Sequence, residues 1–213
     1  MMSKGCSMRV LKILLASLVI TSLSACLSTK TYPDPQYRKA SSASMGTFSA
    51  PVKVRLEVVF QRNGKNMPQV IKTLRPMAEK HLANSGAFIL VTDNTAPALR
   101  FTLNNVANLD DAMKKGFVTG LTFGDKGSTV TDYYEAKIEL MAAGGKQTKN
   151  YRHALVTTIG NADAPVPGVA PLKMMDAFNV VVQDIIMNFV QDMKTDGKLS
   201  KSEVKFVPVY AIR

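Results

Sequence analysis

Hydrophobic and polar residues alternate along several stretches of the chain, a period that predicts strands with one buried face. The alternation is cleanest over 52–60 and recurs over 98–106. Two longer candidates, 130–141 and 149–159, are joined by a short Gly-containing connection and predict a hairpin. The uninterrupted apolar run 87–92 is typical of a central strand.

Apolar residues recur at helical spacing in two other regions. The first begins at Pro68, a residue suited to the first helical position, and ends before Gly86, which can close a helix. Pro76 lies inside this pattern and is expected to kink the helix or divide it. The second region, 172–193, carries a broad apolar stripe suited to covering a sheet. The order β-α-β-β-β-β-α predicts an α+β two-layer sandwich, with an antiparallel-rich sheet and two helices on one face.

The first 25 residues have the composition of an export signal. Lys4, Arg9 and Lys12 form a basic start, an apolar stretch follows over 13–23, and no acidic residue interrupts them. This stretch is too short for a helix that must cross a hydrocarbon core ~30 Å thick at ~1.5 Å per residue. We therefore expect a cleaved signal peptide.

The segment Leu23-Ser24-Ala25-Cys26 resembles the lipobox of bacterial lipoproteins. The resemblance implies that the Cys26 thiol receives a diacylglyceryl group, that a peptidase cuts before Cys26, and that the new amino terminus is acylated, for instance with palmitate. In that family an Asp after the Cys tends to retain the protein at the inner membrane of Gram-negative cells. Leu27 stands there instead, so the resemblance favours the outer membrane, facing the periplasm. The alternative is an ordinary signal peptide in which Cys26 is incidental.

The remaining chain divides into a tether and one domain. Residues 27–51 are rich in Ser, Thr, Ala and Pro and predict a flexible tether behind the lipidated Cys26. Residues 52–213 suffice for a single α+β domain. Cys6 leaves with the signal and Cys26 carries lipid, so the domain has no thiol for a disulfide, a metal site or a nucleophile.

Positive charge exceeds negative charge in the mature part. Lys4, Arg9 and Lys12 are the basic residues of the signal, out of 27 Lys and Arg in the chain, and all 16 Asp and Glu follow the signal. The surplus of eight positive charges suggests an anionic partner such as lipid head groups or an acidic polymer. The alternative is a basic composition with no particular partner. Nucleic acid is not expected to meet an exported chain.

With the lipobox, the order of elements resembles that of small envelope lipoproteins, such as the lipopolysaccharide-assembly lipoprotein and, more loosely, the curli-secretion lipoproteins. The run 130–135, Val-Thr-Asp-Tyr-Tyr-Glu, follows a Gly-rich segment and is similar to a run in uncharacterised lipoproteins. The resemblance covers most of 52–193 and rests on pattern. It implies an envelope protein without naming an activity.

Common signatures of catalysis are missing: there is no Gly-x-Ser-x-Gly, no phosphate-binding loop and no pair of histidines at helical spacing. His81 and His153 are each expected to be a solvated or core residue. Glu135 and Glu139 fall ~13 Å apart on one strand face, beyond the ~5–9.5 Å of a glycosidase pair, and are expected to be solvated. We expect no enzyme activity and no cofactor beyond the covalent lipid.

A possible calcium loop runs from Asp192 to Glu203, with Asp196, Gly197 and further residues at the customary positions. Lys194 occupies the third position, where an oxygen ligand is needed. A helix C-terminus followed by a polar turn is therefore expected instead of a metal site.

Glycine stands at every fourth position of the segment Gly116–Gly124, with apolar residues between. Phe117, Leu121 and Phe123 are therefore candidates for contact with a membrane or a partner. The alternative is a connection whose glycines supply turns and whose apolar side chains fold onto the domain.

Together these features favour a membrane-anchored bacterial envelope lipoprotein, a non-enzymatic binding or assembly accessory whose partner is an envelope protein complex or anionic lipid. One alternative is a ring-forming lipoprotein that associates through Gly116–Gly124. The other is a hydrolase with an unrecognised site.

Overall fold

The computed structural model describes residues 28–38, 40–41, 46–107, 127–142 and 145–199. Within these ranges the chain forms seven strands, two α-helices and a 3₁₀ turn at Pro35–Tyr37. The strands are β1 (Thr29–Pro33), β2 (Val52–Arg62), β3 (Lys65–Asn66), β4 (Phe88–Leu90), β5 (Ala98–Val106), β6 (Ser128–Ala142) and β7 (Gly145–Ile159). The helices are α1 (Pro68–Asn84) and α2 (Met174–Thr195).

The strands form one mixed, open sheet in the order β1-β7-β6-β5-β2-β3, with β4 added beside β2. β2 runs parallel to β4 and β5, and the other neighbouring strands pair antiparallel. Both helices lie on one side of the sheet. This arrangement confirms the predicted α+β fold, and the predicted order β-α-β-β-β-β-α is present with two further strands, β1 and β3.

The core lies between the helices and one face of the sheet. Burial alternates along β2 as its sequence predicts, with Val54, Leu56, Val58 and Phe60 buried. The predicted apolar stripe of α2 supplies the opposite wall, where at most 1% of each residue is exposed at Val181, Val182, Ile185, Ile186 and Phe189. The helix stripe therefore covers the sheet.

Two turns follow from backbone conformations that few residues adopt. Asn63 and Gly64 have φ values of 49° and 77°, which suits the tight turn between β2 and β3. Gly86 has a φ of 69° and follows the end of α1, as the sequence predicts. The predicted hairpin is also present, since Ala142 of β6 pairs with Gly145 of β7.

Pro76 does not divide the first helix, which is continuous from Pro68 to Asn84. Proline leaves the carbonyl of the residue four positions earlier without its helical partner. Pro76 and Lys72 are both exposed, so water can hydrate that carbonyl. Of the two predicted outcomes, a kink or a division, the division is therefore wrong, and hydration of that carbonyl is the physical reason.

The apolar run 87–92 is not a central strand. Its strand, β4, has three residues, and within the described part of the chain it pairs only with Val52–Val54 and has no second neighbour in the sheet. Phe88 is buried because its ring stacks on that of Phe189 at 5.9 Å, whereas Ile89 is 45% exposed. The hydrophobicity of the run reflects one buried side of an edge strand.

The predicted flexible tether contains an ordered strand. β1 pairs antiparallel with β7 along its whole length, from Thr29 opposite Ile159 to Pro33 opposite Leu155. Thr31 and Tyr32 are each only 2% exposed. The expectation of a tether is wrong for this part of 27–51, because pairing with the edge of β7 satisfies the backbone groups that a polar segment would otherwise leave to water.

Within the described ranges, neither helix combines the length and hydropathy required to cross a membrane. The predicted signal peptide and Cys26 lie outside the described residues.

Candidate functional site: the open face of the sheet

The face of the sheet opposite the helices, here called the open face, carries charged and amide side chains. Strand alternation determines which side chains lie on this face, because the residues on either side of a buried position point away from the core. In β2 the buried Leu56 and Val58 therefore leave Arg55 and Glu57 on the open face. β5, β6 and β7 add Arg100, Lys137, Glu139, Asn150 and Arg152.

Glu57 is held between two arginines. Its carboxylate accepts a hydrogen bond from Arg55 Nη1 at 2.5 Å and from Arg100 Nε at 2.9 Å. Hydrogen bonds from Arg100 and then Arg55 lower the pKa of Glu57 below its ordinary 4.5. This carboxylate therefore stays ionised and fixes both guanidinium groups beside it.

Glu139 lies beneath two lysines. Lys137 Nζ is 2.9 Å and Lys146 Nζ 2.5 Å from its Oε1. These ammonium groups, Lys146 first, lower the pKa of Glu139 despite burial, which acts in the opposite direction. Glu139 is only 4% exposed, so the expectation of a solvated side chain is wrong. The half-exposed lysines cover the carboxylate and face water themselves.

A third pair lies nearer the start of β6. Glu135 is 3.7 Å from Arg152 Nε and is about half exposed, as predicted for this residue. The Arg152 guanidinium also stands 5.9 Å from the centre of the Tyr133 ring. Because the Arg152 side chain is 64% exposed, most of its hydrogen-bonding capacity faces solvent.

Two adjoining depressions follow this face, with volumes of about 570 Å³ and about 490 Å³. They share Gln61, Thr102 and Lys137. The first is also lined by Asn104, Glu135, Asn150 and Arg152, and the second by Glu57, Asn66, Arg100 and Glu139. Amide, hydroxyl and charged groups therefore line both depressions.

The chemistry of this surface suits binding of a polar, anionic group. Its ion pairs join the five cations Arg55, Arg100, Lys137, Lys146 and Arg152 to the three carboxylates Glu57, Glu135 and Glu139. Cations thus outnumber carboxylates within the pairs. Among the described residues no three His, Cys, Asp or Glu side chains lie close enough to hold a metal ion.

A buried polar network behind the sheet was not predicted from the sequence. Asp184 of α2, with a side chain 5% exposed, accepts from Arg38 Nε at 2.9 Å and is 3.2 Å from His153 Nε2. One turn later, Asn188 donates to the Tyr37 carbonyl at 2.8 Å and accepts from the Ala40 amide at 3.2 Å. The available signal was the spacing of Asp184 and Asn188, four residues apart within an apolar stripe.

The network attaches the segment after β1 to α2 and β7. His153 is fully buried within it and His81 is 5% exposed, so both histidines prove to be core residues. His81 hydrogen-bonds Asn179 at 2.9 Å and connects α1 with α2. Neither histidine lies on the open face.

The other sequence candidates are not brought to the open face by the described part of the chain. Asp192 accepts a hydrogen bond from the Tyr151 hydroxyl at 2.9 Å, and Asp196 pairs with Lys149 Nζ at 2.8 Å. These two aspartates of the possible calcium loop thus serve other partners, while Glu203 lies outside the described residues. Phe117, Leu121 and Phe123 also lie outside them.

The fold and its open face define an α+β sandwich with one charged sheet face on which neither described helix packs. No protein-family model matches the chain, and no curated protein matches it. One similar solved structure is the PelC L103M dodecamer from Paraburkholderia phytofirmans, at 10% identity and a TM-score of 0.30, covering 75% of this chain and 94% of that one. Another, of an uncharacterised protein, has 10% identity and a TM-score of 0.28, covering 71% and 94%. Both likenesses are too distant to assign a function.

Proposed function

We propose that the protein is a lipid-anchored accessory of the bacterial envelope that binds an anionic envelope component on its open face. The observation that carries the binding role is the set of ion pairs on the open face, in which five cations join three carboxylates. Three of these cations, Arg100, Lys137 and Arg152, line the two adjoining depressions. Arg100 and Arg152 leave about half or more of their side chains exposed and retain donors for a ligand. This surface has the chemistry of recognition by hydrogen bonds and charge.

The sequence supports the anchor. A basic start, an apolar stretch and Leu23-Ser24-Ala25-Cys26 resemble the processing signal of bacterial lipoproteins. Two or three acyl chains on Cys26 would hold the protein on a membrane, because each buried CH₂ contributes ~0.8 kcal/mol and one chain anchors only marginally. The surplus of positive charge is compatible with an anionic membrane surface. We place the protein in the envelope, with the outer membrane favoured.

Cys26→Ser tests the anchor. Because this variant lacks the thiol that accepts lipid, we expect it to move from the membrane fraction to the soluble fraction or to remain unprocessed. Fractionation and intact mass spectrometry measure the outcome, and Cys6→Ser, which leaves the lipobox unchanged, is the matched control. Acyl mass on the Cys26→Ser protein would disprove the proposed anchor.

Paired neutral substitutions test the open face. Arg100→Gln with Arg152→Gln should weaken binding to an anionic probe by about tenfold or more, because each charge-assisted hydrogen bond contributes about 1.5–3 kcal/mol. Lys72→Gln with Lys80→Gln removes the same charge from α1 and should have the smaller effect of net charge alone.

The probes for this comparison distinguish two kinds of anion. Polygalacturonate presents carboxylates, and vesicles of phosphatidylglycerol present phosphates; dextran and phosphatidylcholine vesicles are the neutral references. The protein used is the Cys26→Ser chain, so that lipid does not contribute to attachment. Equal losses in the two double variants would show that net charge, and not the open face, governs binding.

A further inference from the structure

The first described residue is attached to the sheet. Ser28 accepts a hydrogen bond from the Gly160 amide at 2.9 Å through its carbonyl, and its hydroxyl donates to the Gly160 carbonyl at 3.4 Å. β1 begins at the next residue. One residue, Leu27, separates Ser28 from Cys26, and consecutive Cα atoms are ~3.8 Å apart. A lipid on Cys26 would therefore be attached within about 8 Å of the Ser28 Cα.

Ser28 marks one end of the sheet, here called the Ser28 end. β7 ends there, since Thr29 pairs with Ile159, and β6 begins there, since Ser128 also pairs with Ile159. α2 begins at the same end, because Leu172, just before it, exchanges two backbone hydrogen bonds with Thr31 of β1.

Exposed apolar side chains collect at the Ser28 end. Six large apolar side chains are exposed among the described residues. Leu172, Met174 and Met175 lie at the start of α2, with 36%, 46% and 48% exposure, and are here called the entry patch. Val106 and Tyr133, which pair in adjacent strands, lie on the same half of the sheet. Only Ile89 of this set lies at the opposite end, on β4.

Two lysines and one aspartate are exposed beside the entry patch. Lys30 and Lys173 are exposed there, and the single carboxylate in the first turn of α2 is Asp176, also exposed. Antiparallel pairing of Leu172 with Thr31 brings Lys173 toward Lys30. Two cations around exposed methionines suit the boundary between anionic head groups and acyl chains.

We infer that the entry patch contacts the bilayer surface and holds the domain in one orientation, with the Ser28 end on the membrane. This inference rests on the proposed lipid anchor at Cys26. The ordered β1 strand leaves too little chain for the domain to stand away from the lipid, so the residues around Ser28 meet the head groups. Among the described residues, the entry patch is the exposed apolar cluster nearest to Ser28, and the opposite end of the sheet faces away from the membrane.

A single tryptophan tests the orientation, since the chain contains none. Met175→Trp places the probe in the entry patch, and Ile89→Trp places it at the opposite end, at nearly the same exposure of 45%. The lipidated full-length protein is reconstituted into vesicles of phosphatidylcholine and phosphatidylglycerol, with and without bromine on the acyl chains. Both substitutions replace exposed side chains, and circular dichroism checks that both variants fold.

Brominated lipid should quench the Met175→Trp emission by about twofold or more, because a residue at a membrane surface lies ~5–10 Å into the head-group boundary. The Ile89→Trp emission should not change. Equal emission of Met175→Trp in both kinds of vesicle, or equal quenching of the two variants, would overturn the inference.

Intact mass spectrometry separates this failure from that of the anchor. If the protein is acylated and floats with vesicles but the Met175→Trp emission is not quenched, the proposed anchor stands and the proposed orientation is refuted. A protein without acyl mass refutes both.

Discussion

The domain has two histidines, both buried, and their surroundings differ. His153 lies against Asp184, whose carboxylate is also bonded to Arg38. His81 has the neutral Asn179 as its hydrogen-bond partner. Burial, assisted by the charge of Lys80, lowers the pKa of His81 below its ordinary 6.5, although the Asn179 hydrogen bond acts in the opposite direction. The folded state therefore favours the neutral imidazole of His81.

This difference predicts a pH dependence of folding. Because the folded-state pKa of His81 lies below the unfolded value of 6.5, the unfolded state holds more protons as pH falls through 6.5, and stability declines until the folded-state pKa is reached. Urea unfolding between pH 7.5 and pH 5.5 measures the decline, above the range where carboxylates titrate. His81→Gln keeps a partner for Asn179 and should reduce the slope. An unchanged slope would assign the effect to another group.

At the scale of elements, the sequence predicted those structures whose signal is local. Alternation in 52–60 and 98–106 and the apolar stripe of 172–193 each place one face in the core, so they appear as β2, β5 and α2. β1 gave no such signal, because five residues at a sheet edge depend on β7, more than a hundred positions away. The open face was only partly predictable: alternation indicates which side chains face away from the core but not which cations and carboxylates pair across strands.

Deleting residues 28–41 tests the role of β1. A flexible tether could be removed without loss, whereas the structure predicts a lower melting temperature, because the burial of Tyr32 alone contributes about 1.5–3 kcal/mol. For a domain of this size, we expect a decrease of roughly 5 °C or more, with aggregation through the uncovered edge of β7.

A matched pair of substitutions on β1 provides the control. Tyr32→Ser removes a buried ring and should lower the melting temperature, while Lys30→Ser changes an exposed neighbour in the same strand and should not. Equal melting temperatures for the shortened and full chains would contradict the structural role of β1 and support a flexible tether.

On the scale of the whole molecule, α2 connects the parts of the domain. It packs on α1, on β7 and on β1, and its Asp184 and Asn188 bind the segment that follows β1. The sheet, α1 and the N-terminal segment therefore all pack against α2. We expect them to unfold together in a single transition.

Val182→Asp tests this dependence on α2. Val182 is 0% exposed, and a carboxylate there would be desolvated without a partner, so we expect the domain to lose about 4 kcal/mol or more and to unfold. Met175→Asp, at an exposed position of the same helix, should stay within about 0.5 kcal/mol. Thermal melts followed by circular dichroism and by tyrosine fluorescence should coincide for the parent chain. Retention of the full melting temperature in Val182→Asp would show that the stripe is not part of the core.

The pairing of β1 with β7 also determines an order of events during biogenesis. A hydrogen bond joins Thr31 and Thr157 across 126 positions of the chain, and another joins Arg38 and Asp184 across 146 positions. During translation Thr31 and Arg38 are therefore synthesised long before Thr157 and Asp184. Throughout that interval residues 28–41 cannot dock, so under the proposed lipid anchor the adjoining segment Leu23–Cys26 would stay accessible to the enzymes that process it. Once β7 and α2 have been made, the same segment folds into the edge of the sheet, and the proposed processing would have to be complete by then.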